Sequence, residues 1–200
     1  MTATLVLASR NAHKLQELGA LLAPWSLEPL PPQVQLPPET GETFAANATL
    51  KAEAAALATG RLALADDSGI EAAALAGAPG VRSARFAGEG ASDEENLDKL
   101  LREVPTDGDR RVAYVCVLAI AEPGGGRPPQ LFEGRCEGLL APTPQGKGGF
   151  GYDPAFVPID VAGGRTMAEL APAEKGAISH RGRAARALAA WLAERGRGRV

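Results

Sequence analysis

Two adjacent carboxylates, Asp66 and Asp67, follow the apolar run 62–65 and precede Ser68 and Gly69 in the segment LALADDSG. Paired carboxylates at a strand end suit hard, oxygen-preferring cations such as Mg2+, which keep several waters and bridge to substrate phosphates. The alternative is that one aspartate caps a Ser-Gly turn while the other faces water. The segment SRNAHK, residues 9–14, falls where a strand gives way to a helix. The unpaired N–H groups and positive dipole end of a helix N-terminus attract anions, and Ser9, Asn11 and Lys14 add donors. Such a turn suits a triphosphate. It is not a Walker loop, because the glycine-rich frame ending in Lys-Ser/Thr is absent.

Gly146, Gly148 and Gly151 in GKGGFGYDP spell G-x-G-x-x-G, but the match follows a Pro-rich stretch and leads into YDPAF instead of a helix. A dinucleotide fingerprint needs the strand and helix around it, so that reading is set aside. The glycines would let Phe150 lie against a flat ring while Asp153 presents acceptors to ring N–H groups. In EKGAISHRG, Lys175, Ser179 and Arg183 fall about one helical turn apart, and His180 and Arg181 follow one another. Both can donate to a purine carbonyl at position six, whereas the amino group of adenine there would leave buried donors unpaired. The two histidines, His13 and His180, do not stand at metal-ligand spacing, which speaks against a zinc hydrolase.

The elements that must position these residues show in the pattern. TATLVLAS reads as a strand, followed by a helix with Leu15, Leu18, Leu21 and Leu22 on one face, capped by Ser9 or Asn11 and stopped at Pro24. PLPPQVQLPPETGE holds at most a short edge strand. A helix follows, capped by Thr40 or Thr43 and ended by Gly60. Residues 62–65 form a short buried strand with the acidic pair at its C-terminal end, where open α/β sheets place ligand crevices. GAPGVRSARFAGEGAS reads as loop, and SDEENLDKLLREVP as a helix with Ser92 as cap and Glu95 closing a capping box. RVAYVCVLAIA and QLFEGRCEGLL form a likeness of a hairpin around a Gly/Pro loop. Two C-terminal helices break near Pro172.

The chain of 200 residues, 45% hydrophobic and 22% charged, can bury one or two cores without disulfide or metal staples. Cys116 and Cys136 read as buried free thiols. No segment approaches a membrane span or a secretory leader, so a complete cytoplasmic protein is expected. A net charge of −3 argues against general nucleic-acid binding despite the basic end RGRAARALAAWLAERGRGRV, read as a solvated helix face with a frayed end. No linker separates independent domains, so residues 1–200 are expected to form a single domain.

SRNAHK, ETGETFAANATLKA, ADDSGIEAAALAGAPGVRSARF, GFGYDP and AEKGAISHRG, in this order and at these separations, resemble the inosine triphosphate pyrophosphatase, or Ham1-like, family. The resemblance covers nearly the whole chain. It implies an elongated mixed α/β sheet with flanking helices, its two lobes around a nucleotide-binding cleft. It implies hydrolysis of ITP, dITP and XTP to monophosphate and pyrophosphate, which removes deaminated purines from the nucleotide pool, with Mg2+ as cofactor and a homodimeric assembly. By position, Asp67 matches the family's proton acceptor and a metal ligand, and Ser68 lies beside it in the substrate site. Ser9, Arg10, Asn11, Ala12, His13 and Lys14 match the phosphate-binding block, and Lys51 a phosphate-facing lysine. Phe150, Gly151, Tyr152, Asp153, Lys175, His180 and Arg181 match the surroundings of base and sugar.

Two positions depart from the family. Pro38 stands where an acidic metal ligand is common, leaving Glu39 as the nearest substitute and Glu42 further off. His13 stands where a small or basic residue is commoner. Asp67 is favoured as base on family position, with Glu39 and Asp66 assisting at the metal. The related Maf-like pyrophosphatases share the opening strand and turn but not GFGYDP or SHRG. A non-catalytic nucleotide sensor or RNA-binding module is the alternative from another functional class.

Overall fold

The computed structural model describes residues 4–197, with side chains through Arg195. Strands β1 (Thr4–Leu7), β2 (Ser26–Pro29), β3 (Ala63–Ala72), β4 (Arg111–Ala121), β5 (Gln130–Leu140) and β6 (Phe156–Pro158) form one open sheet in the order β2-β1-β3-β4-β5-β6. β1 runs parallel to β2 and β3, and β6 antiparallel to β5, so the sheet is mixed. The helices are α1 (Ala12–Leu21), α2 (Phe44–Thr59), α3 (Asp93–Glu103), α4 (Pro172–Ile178) and α5 (His180–Arg197). Among the described residues no helix is long and apolar enough to cross a membrane.

Local chemistry sets most boundaries. The Asn11 side chain accepts the N–H groups of His13 and Lys14 and starts α1. Thr43 accepts from Ala46 N and starts α2, which ends at Gly60 in the left-handed conformation. A cap of this kind contributes about 1 kcal/mol. Ser92 and Glu95 close the capping box of α3. β4 is buried at every position but Arg111, the pattern of a strand covered on both faces, while β5 alternates buried and exposed.

The described chain divides into two compact units, and β3, β4 and β5 each pass from one unit to the other. Unit 1 comprises residues up to Asp67, Cys116–Gly134 and those from Arg181 on. Its core gathers Leu5, Leu7, Leu18, Leu64, Leu118 and Leu188, all fully buried. Unit 2 comprises Ser68–Val115 and Arg135–His180. There Ile70, Leu100 and Phe156 pack with Tyr114, whose ring centroid is 4.5 Å from that of Phe156. Each buried Leu, Ile or Phe contributes about 1.5–3 kcal/mol relative to exposure.

Three expectations are corrected. β3 does not end before the acidic pair but runs on through Ser68 and Gly69 to Ala72. Gly69 marks a close approach, since a Cβ there would collide with Ser83 Oγ, the group that accepts the Ile70 N–H at 2.9 Å. GVRSAR, expected as loop, is a 3-10 helix over Gly80–Arg85. The C-terminal break falls at Ser179, not near Pro172, because proline at the first helical position starts α4 without costing a hydrogen bond. Lys175 and Arg183 therefore stand on different helices. The frayed basic end lies largely outside the described residues.

Candidate active site

Asp66 and Asp67 are consecutive in β3, so the alternation of a strand sends their side chains to opposite faces. On one face, Asp66 is 1% exposed and binds Lys14 Nζ at 2.6 Å and Arg181 Nε at 2.7 Å, while the Cys116 thiol lies 3.4 Å away. Arg181 is held in turn by Glu17 at 2.7 Å. Burial alone would raise the Asp66 pKa, but the charges of Arg181 and Lys14 outweigh it and hold the carboxyl well below the usual range. The same burial, with Asp66 beside it, pushes the Cys116 thiol up and keeps it inert. Both cysteines are buried and free.

On the other face, α2 presents Asn47 and Lys51, one turn apart, to Asp67. Asn47 Nδ2 donates to Asp67 Oδ2 at 3.3 Å, and Lys51 Nζ to Oδ1 at 2.7 Å. Lys51 also binds Glu39 Oε1 at 2.7 Å and the Asp66 carbonyl at 2.9 Å, which engages all three of its protons. Burial raises the Asp67 pKa and Lys51 only partly offsets it; in the less buried Glu39 the attraction of Lys51 prevails over burial and lowers the pKa. Glu39 and Asp67 thus bring two carboxylates to one ammonium. That donor set fits a hard divalent cation, since Mg2+ takes one or two carboxylates and completes its shell with water and phosphate. No group of three or more His, Cys, Asp or Glu side chains could hold a metal among the described residues. Glu42 is exposed, which leaves Glu39 as the partner of Asp67.

Several of the expected site residues are held by contacts within the chain. Asp66 does not join Asp67 at a cation, because it faces the other way and is spent on Lys14 and Arg181. Arg181, expected beside the base, has its guanidinium buried on Asp66 and Glu17. Arg10, expected at phosphate, donates to the carbonyls of Leu30, Pro31, Pro32 and Val34 at 2.8–3.2 Å. Prolines supply no N–H, so this loop pairs few of its own carbonyls, Val34 N–H to the Pro31 carbonyl at 3.0 Å being one, and takes the guanidinium as well. Ser9 Oγ accepts the Asn11 N–H at 3.2 Å. Ala12 and His13 are exposed at the start of α1, and Lys14 is half-buried above Asp66.

The second group lies in unit 2. Asp153 is 2% exposed, and its Oδ2 accepts the Phe150 N–H at 2.9 Å and Lys175 Nζ at 2.7 Å. This oxygen, expected to meet ring N–H groups, instead folds the loop back on itself. Lys175 Nζ stands 5.1 Å from the centre of the half-buried Phe150 ring. Gly149 has φ +71°, and a Cβ there would run into the Asp153 carboxylate. The Gly151 N–H donates to Asp93 Oδ2 at 2.8 Å. Tyr152 is a core residue whose hydroxyl donates to the Ser83 carbonyl at 2.7 Å. His180 is 4% exposed and stacks on Tyr114 at 4.5 Å. Ser68 is half-buried on β3.

Residue-by-residue reading missed the contacts of Asn47, Glu17 and Tyr114. For Asn47 a signal existed: it precedes Lys51 by one helical turn on an otherwise alanine-rich helix.

An open mixed α/β sheet with a charge cluster built around both faces of one central strand defines the class. The chain belongs to the Ham1 family, whose sequence model matches residues 5–191. It is 48% identical over 190 residues to a dITP/XTP pyrophosphatase of Geobacillus kaustophilus, covering 90% of this chain and 89% of that protein. A HAM1 protein structure from Coxiella burnetii superposes with TM-score 0.84 at 44% identity, covering 97% of this chain and all of that one. The Ham1 protein of Staphylococcus aureus does so with TM-score 0.84 at 40% identity, covering 96% and 99%.

Proposed function

We propose that the chain hydrolyses dITP, ITP and XTP to the monophosphate and pyrophosphate, removing deaminated purines from the nucleotide pool. Membership of the Ham1 family and similarity to dITP/XTP pyrophosphatases support the activity. In the site, the observation that carries it is the convergence of Asp67 and Glu39 on the Lys51 ammonium, 2.7 Å from each.

A triphosphate carries about four negative charges at neutral pH, so cationic donors must neutralise it before a nucleophile can approach. Lys14 and Lys51, gathered around the Asp66 carbonyl, would supply that charge by exchanging carboxylate contacts for phosphate oxygens. Asp67 and Glu39 would hold Mg2+, which would supply Lewis-acid stabilisation of the charge on the phosphates. Asp67 orients and deprotonates a water for in-line attack on the α-phosphorus. Its raised pKa suits a general base, a role that contributes about 10²–10⁴ in rate. Asp66 keeps Lys14 aimed and takes no proton itself.

By the family resemblance Phe150, Lys175 and His180 belong to the surroundings of the base, where a flat ring, a cation and a donor for an oxygen at position six would serve. Adenine carries an amino group there, and an unpaired buried donor costs about 1–3 kcal/mol. The proposal includes Mg2+ dependence and a homodimer, both supported by the family resemblance, a cytoplasmic location, and no nucleic-acid partner, which the net charge of −3 favours.

The test is pyrophosphate release from dITP, XTP, GTP and ATP, with and without Mg2+. Mg2+-dependent turnover of dITP and XTP with near silence on GTP and ATP is expected. Salt-sensitive RNA binding without turnover of any triphosphate would overturn the reading.

A further inference from the structure

Asn47 is a fully buried polar residue in a neighbourhood of charges, and both ends of its amide are used. Nδ2 donates to Asp67 Oδ2 at 3.3 Å, and Oδ1 accepts the Gly41 N–H at 2.8 Å. Gly41 lies two residues beyond Glu39, and its loop presses against α2: a Cβ at Gly41 would come within 2.7 Å of both Ala46 Cβ and Asn47 Oδ1. One side chain therefore ties the carboxylate of Asp67 to the loop that carries Glu39.

We infer that Asn47 is a positioning residue that sets the two carboxylates, Asp67 and Glu39, in register for a divalent cation. The inference rests on the cation site proposed above. Lys51 joins the same two carboxylates, but through an ammonium, which competes with any metal ion for Asp67 Oδ1 and Glu39 Oε1. Asn47 is neutral and takes only Oδ2 of Asp67, so it can keep the carboxylate oriented while Oδ1 is given to a cation. Its acceptor end fixes the loop through the Gly41 backbone, while the Glu39 side chain stays on Lys51. A hydrogen bond that orients a ligating carboxylate from behind carries about 10–100-fold in metal affinity or activity.

The experiment uses the full chain, with Mn2+ alone as probe, bound ion being read from loss of the free Mn2+ paramagnetic resonance signal, and with dITP turnover in parallel. Asn47→Ala is expected to weaken Mn2+ binding and lower kcat by roughly 10–100-fold, with KM for dITP changed by less than about threefold. Asn47→Asp keeps the shape and can still accept the Gly41 N–H, but opposes Asp67 with an acceptor; kcat is expected to fall as far as in the alanine variant. That variant carries the test if alanine fails to fold. Thr43→Ala removes the cap of α2 and should lower the melting temperature while leaving Mn2+ affinity intact. Wild-type Mn2+ affinity and kcat in either folded Asn47 variant would overturn the inference, as would a wild-type chain that binds no Mn2+. A wild-type chain that binds Mn2+ but turns over no dITP sinks the proposed function, and weaker Mn2+ binding in Asn47→Ala then still supports the role of Asn47.

Discussion

The Asp66 carboxylate and the Arg181 guanidinium meet at 2.7 Å with both residues no more than 2% exposed, across 115 positions of sequence. This pair joins β3 to the first turn of α5, and through the other oxygen of Asp66 it also holds Lys14 on α1. Three elements of unit 1 are thus locked by one carboxylate, while Asp67 faces the other side of β3 on Lys51 and Asn47.

Removing that carboxylate strands a buried guanidinium. Asp66→Asn should destabilise the protein by about 3–5 kcal/mol, read by urea denaturation. The depressed pKa fixes the sign with pH: the contribution of Asp66 is full above its unfolded value of 3.8 and is lost as pH falls through the much lower folded value. An Asp66→Asn protein as stable as the wild type at pH 7 would remove Asp66 from this structural role.

Asp67→Asn should lower kcat for dITP by about 10²–10⁴ with the fold intact. Here the folded pKa is raised, so the folded state binds more protons than the unfolded one above 3.8, and stability falls as pH rises through the folded value. The melting temperature of the variant should therefore gain on that of the wild type as pH rises from about 4. Kinetics unchanged by the substitution would move the base elsewhere.

Glu39→Gln should raise the Mg2+ concentration needed for half-maximal turnover roughly tenfold, because one of two charged oxygen ligands is lost. At saturating Mg2+ the KM for XTP should hold. A Mg2+ titration superimposable on that of the wild type would leave Asp67 as the sole protein ligand.

Arg10→Ala should release the proline-rich loop, since four carbonyls lose their shared donor. Hydrogen bonds to a charged donor contribute about 1.5–3 kcal/mol, so faster proteolytic cleavage within residues 30–38 and a lower melting temperature are expected. Unchanged cleavage together with a large rise in KM for dITP would return Arg10 to the phosphate.

Helix starts were legible wherever the cap is local: Asn11, Thr43 and the Ser92–Glu95 box act within three residues of themselves. The extent of β3 was not, because Ser-Gly ordinarily favours a turn and only the distant Ser83, which leaves no room for a side chain at Gly69, explains a strand there. Site residues divide in the same way. Asp67, Glu39, Lys14 and Lys51 stand out as charged groups in otherwise apolar or alanine-rich surroundings. Asn47 carries no charge to draw notice, and its task shows only when Gly41 and Asp67 lie at its two ends.

The sequence by itself determined β1, β4, β5 and the helices α1, α2 and α3, and the blocks that resemble one family, since periodicity, caps and motif spacing are properties of neighbouring residues; the short strands β2 and β6 carry no such pattern and appear only in the folded sheet. The tertiary structure alone decided how each charge is spent. Asp66 and Asp67 are chemically identical neighbours, yet strand alternation gives one to Lys14 and Arg181 and the other to Asn47 and Lys51. Arg10 and Arg181 went to loop carbonyls and to a buried carboxylate for the same reason: a guanidinium settles where packing has left unpaired acceptors, and only the folded chain shows where those are.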